Sequence, residues 1–351
     1  MSAGIPVGLV GVTGYTGMEL ARILSGHDGM NLVRVTSRAE AGKKLSDIYP
    51  FLLGLDLGEL EITAPDVDEL AESCQLVFLA VPHKTAMDIG GKLYDKGIKV
   101  VDLSADFRIR DREIYEEWYK VDHTREDLLS KAIYGLPEFY RDQIKGASLI
   151  ANPGCYPTSA IVGLTPAISE KLVETKDIVI DSKSGATGAG KKAAVGTLFS
   201  EVSDSFKAYG LGGHRHTPEI EQELSVVAGD DITVSFNTHL LPINRGILST
   251  IYTKLKDGVT AQDVRAAYEK AYGGEKWVRV LPEGKLPETR WVRGTMFCDV
   301  GLVVDPRTNR LIIVAAIDNV CRGASGQAVA NANLMLGMDE GRGLNFAPLM
   351  P

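Results

Sequence analysis

The stretch Pro6-Val7-Gly8-Leu9-Val10-Gly11-Val12-Thr13-Gly14-Tyr15-Thr16-Gly17 decides the fold. Pro6 to Val12 is a continuous apolar run, the pattern of a strand buried on both faces. It leads into glycines at every third position, and Met18 to Leu24 then carries helical spacing. Strand, glycine turn and helix together form the first half of a dinucleotide-binding unit. Glycine there lets the backbone approach a pyrophosphate seated at the helix N-terminus. The spacing is GxxGxxG where the usual fingerprint is GxGxxG, so its place at the first strand carries much of the weight. The plain alternative is a glycine-rich turn with no ligand.

Working outward, Asn31 to Thr36 reads as the second strand. Where NAD-preferring sites carry an acidic residue for the ribose 2′-hydroxyl, this chain has Thr36-Ser37-Arg38. A hydroxyl and a guanidinium suit a 2′-phosphate, which predicts NADP(H) over NAD(H). Leu76–Val81 and Lys99–Asp102 are further apolar runs, separated by a helical pattern from Thr85 to Lys96. The alternation continues a parallel, doubly wound sheet. His83 falls at a strand end and reads as a loop or cofactor-contact residue. Arg108, in Leu103-Ser104-Ala105-Asp106-Phe107-Arg108, follows another strand end. It suits a bidentate clamp on carboxylate or phosphate, or equally a salt bridge to Asp106 or a neighbour.

At 351 residues the chain is long for one core, which points to two domains. It is 44% hydrophobic and 24% charged, an ordinary globular composition. The net charge of −8 with no basic block argues against nucleic acid or an anionic membrane as partner. No run of 18 apolar residues and no signal-peptide pattern is present in the sequence. Cys74, Cys155, Cys298 and Cys321 lack CxxC spacing, so no metal site and no disulfide framework is expected. Cys74 and Cys298 lie in apolar runs and read as core; the whole fits a cytoplasmic protein.

Asn152-Pro153-Gly154-Cys155-Tyr156-Pro157-Thr158 lies between an apolar run, Ala147–Ala151, and a helical pattern, Ser159–Leu172. Pro157 suits the first turn of a helix, so Cys155 sits at or beside a helix N-terminus. That position lowers a thiol pKa and favours a nucleophilic thiolate; the alternative is a small buried hydrophobe. Past this point strand candidates cluster with fewer crossover helices: Ile178–Lys183, Thr233–Leu241, Leu248–Leu255, Met296–Val304 and Leu311–Ile317. They predict a mixed or antiparallel sheet in a second domain. The loop Ser184–Lys192 reads as facing a phosphate or nicotinamide, or else as a mobile surface loop. In Gly213-His214-Arg215-His216-Thr217-Pro218-Glu219, Thr217 as N-cap and Pro218 open a helix through Val227. An imidazole there suits proton transfer near neutral pH. A metal pair finds no supporting His or Cys cluster. His123 and His239 read as structural. Near the end, Ala324–Met338 has the pattern of a small-residue helix.

An activated cysteine, a nicotinamide cofactor and a histidine make up the kit for interconverting an aldehyde and an acyl derivative through a thioester. Ala151–Thr158, Gly213–Glu219 and Gly323-Ala324-Ser325-Gly326-Gln327-Ala328 together resemble the N-acetyl-gamma-glutamyl-phosphate reductase family, relatives of aspartate-semialdehyde dehydrogenase. The resemblance runs from Val7 to about Gly337 and also takes in Gly11–Gly17 and Leu103–Arg108. One departure is Ser159, where the family usually has Gly or Ala.

The resemblance implies an α/β protein like glyceraldehyde-3-phosphate dehydrogenase. Residues 1–154, completed by 323–351, would form a Rossmann-type NADP-binding domain. Residues 155–322 would form an α+β catalytic and dimerisation domain. It also implies an enzyme of arginine biosynthesis that reduces a small-molecule acyl phosphate, N-acetyl-L-glutamyl 5-phosphate, with NADPH. Cys155 would be the nucleophile and His214 or His216 the acid/base, with His214 favoured because glycines precede it. Gly11, Thr13, Gly14, Tyr15, Thr16 and Gly17 would line the cofactor phosphates, Ser37 and Arg38 the 2′-phosphate, and Asn319 the nicotinamide amide. Arg108, Asn152, Lys191 and Arg215 would contact substrate. A homodimer or homotetramer is expected. The nearest alternative is a semialdehyde dehydrogenase acting on aspartyl phosphate or on carrier-protein-bound glutamyl phosphate.

Overall fold

A computed structural model describes residues 4–350. The chain divides into two compact units. Residues up to Pro153, rejoined by Ala324–Asn345, form the first; Gly154–Gly323, with the tail from Phe346, forms the second.

The first unit is built on strands β1 (Ile5–Val10), β2 (Met30–Thr36), β3 (Ile62–Thr63), β4 (Leu76–Leu79), β5 (Lys99–Asp102), β6 (Ile133–Tyr134) and β7 (Leu149–Ala151). They lie in the order β3-β2-β1-β4-β5-β7-β6, and every pairing is parallel. This is a doubly wound sheet with its order reversing beside β1, the place where such sheets bind ligands. All four residues of β4 are buried, as helices on both faces require.

A helix from Gly326 to Met335 closes this unit, and every one of its residues is buried. It begins at Gly326 because a π-helical turn, Cys321–Ser325, takes up the start of the expected Ala324–Met338 helix. Ala328, Ala330 and Ala332 let it pack closely, and the nitrogens of its buried amides are bonded. Gln327 and Asn331 both donate to Gly135 O at 2.8 Å. Asn333 shares a 3.0 Å bond with His27 Nε2. Ser325 Oγ donates to Thr16 O at 2.8 Å, fastening the returning chain to the first helix, Tyr15–Leu24.

The second unit carries β8 (Ile178–Gly185), β9 (Lys207–Tyr209), β10 (Val234–Leu241), β11 (Ile247–Lys254), β12 (Val278–Val280), β13 (Cys298–Asp305) and β14 (Arg310–Ile317). The order is β12-β13-β14-β11-β8-β10-β9. β8 with β10 and β12 with β13 are parallel and the other pairs antiparallel, so the sheet is mixed, as expected. The short strands β3, β6, β9 and β12 are not visible in the sequence because two or three residues are too few to show a period, whereas β7 lies within the apolar run Ala147–Ala151.

A helix from Cys155 to Ser169 packs on this sheet, buried from Tyr156 to Ile168. It starts at Cys155, ahead of the expected Ser159, because Gly154 takes the extended N-cap conformation. Pro166 within it has no N–H for the carbonyl four residues back, Val162 O. Tyr272 OH donates to Val162 O and Tyr268 OH to Gly163 O, each at 2.6 Å. The helix therefore stays intact across its proline. Ser159 Oγ donates to Tyr156 O at 2.9 Å and meets Ser249 Oγ at 2.8 Å, which meets Ser182 Oγ at 2.7 Å. This buried hydroxyl chain ties the helix to β11 and β8.

Candidate active site

Cys155 is the first residue of its helix, where N–H groups without an intrahelical acceptor and the positive dipole end lie. Such a position stabilises a thiolate. The N–H of Gly154, just before it, donates to Glu219 Oε1 at 2.8 Å. Glu219 is fully buried in the first turn of the helix Thr217–Ala228. Its carboxylate closes the start of the cysteine helix. Gly323 also borders Cys155: a Cβ placed on it would lie 2.7 Å from Cys155 Cβ.

His216 itself is the N-cap of the Thr217–Ala228 helix, one residue earlier than the Thr217 cap the sequence suggested. His214 is half-buried. Its ring meets Tyr156 at 5.4 Å, Tyr209 at 5.9 Å, Phe236 at 5.2 Å and His216 at 5.0 Å between centroids. Burial, helped by the Arg215 charge, pulls its pKa down to about 4. Its Nδ1 accepts the His216 N–H at 3.1 Å, so the neutral ring carries its proton on Nε2. At neutral pH His214 is therefore an N–H donor. Tyr156 and Tyr209 share a hydroxyl–hydroxyl bond of 2.6 Å. Burial holds both phenols above their ordinary pKa, and Tyr209 and then Cys155 add to the rise at Tyr156. Tyr156, Tyr209 and Glu219 were not singled out from sequence; ring contacts across elements leave no local signal.

Arg215 and Lys191 are exposed. Asn319 is buried and engaged at both ends of its amide: Oδ1 accepts Gly246 N–H at 2.7 Å and Nδ2 donates to Thr187 Oγ1 at 3.0 Å. It pins the Ala186–Ala189 turn to the loop between β10 and β11. Asp318 beside it holds Arg245 through both carboxylate oxygens at 2.8 and 2.9 Å.

In the first unit Arg108 is buried and bonded to backbone. Nε donates to Asn152 O at 2.7 Å and Nη2 to Leu103 O at 2.8 Å. Asp106 accepts from Lys84 N, Met87 N and Tyr115 OH. Asn152 is buried, its Oδ1 taking Asn331 Nδ2 and its own Nδ2 reaching Ala324 O. Arg108 and Asn152 thus brace the chain leading to Cys155. His123, read as structural, contacts Asp106 O through Nε2 at 2.6 Å.

The glycine turn fits a dinucleotide. Gly11 has φ +90°, and a Cβ there would lie 2.4 Å from Ala80 O; on Gly17 it would lie 2.4 Å from Gly11 O. Gly14, the N-cap of the first helix, meets nothing closer than 3.9 Å, so the space over the helix end is open to a phosphate. Ser37 Oγ lies 3.3 Å from Thr13 Oγ1, and the buried Thr36 Oγ1 has no partner among the described residues. Tyr15 and Thr16 open the helix and Arg38 is exposed. Among the described residues no group of three or more His, Cys, Asp or Glu could hold a metal, and no helix is long and apolar enough to cross a membrane.

Family models match both units. Residues 6–147 match the semialdehyde dehydrogenase NAD binding domain, and residues 155–319 the semialdehyde dehydrogenase dimerisation domain. The N-acetyl-gamma-glutamyl-phosphate reductase of Pelotomaculum thermopropionicum is 50% identical over 347 residues, 99% of each chain. That of Desulfotalea psychrophila is 51% identical over 99% of this chain and 100% of its own. The chain belongs to the N-acetyl-gamma-glutamyl-phosphate reductase family of semialdehyde dehydrogenases. In fold it is similar to a solved aspartate semialdehyde dehydrogenase II of Vibrio cholerae, with TM-score 0.71 and 16% identity over 96% of this chain and 99% of that one. The glycine turn lies within the residues that match the NAD binding domain.

Proposed function

We propose that this chain reduces N-acetyl-L-glutamyl 5-phosphate to N-acetyl-L-glutamate 5-semialdehyde and phosphate with NADPH, a step of arginine biosynthesis. The observation that carries it is the thiol of Cys155 at a helix N-terminus, in a chain half identical over its whole length to reductases so named.

The Cys155 thiolate attacks the C5 carbonyl carbon; the Sγ–C5 bond forms and the bond from C5 to the phosphate oxygen breaks. A thioacyl group on Cys155 results and phosphate leaves. The first-turn N–H groups of Cys155 and Tyr156, with Nε2–H of His214, are suited to hold the negative charge that develops on the carbonyl oxygen. His214 was the favoured proton carrier from sequence. Its low pKa leaves it no second proton to give near neutrality, so we assign proton transfer at the sulfur to His216. When bound, the dinucleotide supplies the hydride that brings the acyl carbon to the aldehyde level. The sulfur then leaves as thiolate and the site is regenerated.

Arg215 and Lys191, exposed cations of the second unit, are the candidates for substrate phosphate and carboxylate. Arg108 and Asn152 would act chiefly by holding the chain that leads to Cys155. In the first unit Ser37 and Arg38 favour a 2′-phosphate, hence NADP(H). Asn319 retains one amide hydrogen beyond its Thr187 bond for a nicotinamide carboxamide.

A homodimer would form through the second sheet. Along β8 and β11 every second residue is buried, while Val179, Asp181, Thr250 and Tyr252 on the opposite face are only half-buried. A partly apolar sheet face of this kind suits a second copy related by a two-fold axis.

The test is NADPH oxidation with N-acetylglutamyl phosphate, together with the phosphate-dependent reverse reaction. Aspartyl phosphate and carrier-bound glutamyl phosphate serve as the competing substrates. Faster turnover of either competitor overturns the substrate, and near-normal turnover by Cys155→Ser overturns the mechanism.

A further inference from the structure

We propose that Tyr209 is a positioning residue for the reacting thiol and imidazoles, acting through Tyr156. The inference rests on the catalytic reading of Cys155 and the histidines above.

Tyr156 follows Cys155 directly, and its backbone is fixed by the Ser159 hydroxyl on its carbonyl. Its ring is the hub of the site. It stands edge-on to His214 at 5.4 Å, Phe236 at 5.5 Å and His216 at 6.0 Å. The side chain is 3% exposed, so its hydroxyl must be partnered inside the protein. Ser184 stands beside that hydroxyl, and Tyr209 OH bonds it at 2.6 Å.

Tyr209 sits at the end of β9, a three-residue strand with all three side chains exposed, paired to β10. Its carbonyl accepts Thr238 Oγ1 at 2.5 Å. Directly after it the chain turns at Gly210, φ +59°, where a Cβ would lie 3.2 Å from His214 Cδ2. Tyr209 therefore works at two ends. Its phenol holds the ring next to the nucleophile, and its backbone starts the turn that brings His214 against that same ring. Removing only the phenol oxygen keeps the strand, the turn and the aromatic packing. It leaves the buried Tyr156 hydroxyl with Ser184 but without the Tyr209 bond that fixes its direction, and a small misplacement of reacting groups is costly.

The test compares wild type with Tyr209→Phe, Tyr156→Phe and the double variant. Tyr209→Phe is expected to lower kcat about tenfold, with KM within about twofold. The double variant is expected to be no slower than the slower single, since both singles break one bond. Wild-type kcat in Tyr209→Phe, or losses that multiply in the double variant, overturns the proposal. An arm without substrate separates it from the choice of substrate: the rate of Cys155 alkylation by iodoacetamide. A change of about threefold or more in Tyr209→Phe supports positioning, and equal rates overturn it. A wild type that alkylates rapidly but does not turn over N-acetylglutamyl phosphate refutes the substrate reading alone.

Discussion

Glu219 Oε1 accepts the Gly154 N–H at 2.8 Å, so the first turn of the histidine-bearing helix closes the start of the cysteine helix. Cys155 and the residues that carry the imidazoles are thereby tied together by a buried bond. Glu219→Gln keeps an acceptor of the same shape and is expected to stay folded with a modest loss of activity. Glu219→Ala leaves a buried N–H without its acceptor, which costs about 1–3 kcal/mol. Urea denaturation of the two variants checks this. Equal stability would mean the bond contributes nothing.

Gly323 also meets Cys155. A methyl group there would fall 2.7 Å from Cys155 Cβ and 3.0 Å from its Cα, closer than such atoms pack, and neither can yield without moving the helix start. Gly323→Ala is expected to fold and to bind dinucleotide, with kcat lowered about 100-fold by displacement of the thiol. Turnover and circular dichroism measured together decide the point; near-native turnover refutes it.

Arg38, exposed at the end of β2, bears on cofactor choice. Under the proposed function it would, with Ser37, supply charge-assisted bonds to a 2′-phosphate, where NAD-preferring sites place a carboxylate. Arg38→Ala is expected to lower kcat/KM for NADPH by about tenfold while leaving NADH nearly unchanged. An unchanged ratio between the two dinucleotides contradicts the assignment.

The sequence made legible what is local. The apolar run before Gly11 and the open helix end at Gly14 follow from the strand–turn–helix pattern, and Cys155 at a helix start follows from Gly154 and Pro157. Side-chain engagement across elements was not legible. Arg108 looked like an anion clamp because its charge is visible, while its partners, the carbonyls of Asn152 and Leu103, have no signature in a list of residues. Asn319 likewise looked available, but it spans Gly246 and Thr187. Ser159, noted only as a departure from the family pattern, proves to be the first link of the hydroxyl chain to Ser249 and Ser182. In each case the partner lies dozens of residues or more away, or in the backbone.

His214 yields the pH prediction. In the unfolded chain its imidazole titrates at the ordinary 6.5, whereas in the folded protein burial lowers the value to about 4. Between these values the unfolded chain binds a proton that the folded chain refuses. The stability that His214 contributes is thus fully present above pH 6.5 and is lost as pH falls toward 4, by up to roughly 3 kcal/mol. His27, also shifted down by burial, adds a slope of the same sign, so the comparison must be between variants. In His214→Asn the amide oxygen can still accept the His216 N–H, but no group titrates. Urea unfolding at pH 7 and pH 5 is expected to show a smaller acid loss in His214→Asn than in wild type. Parallel losses in the two proteins would mean that His214 is charged in the native state, which would also return it to contention as the proton carrier in place of His216.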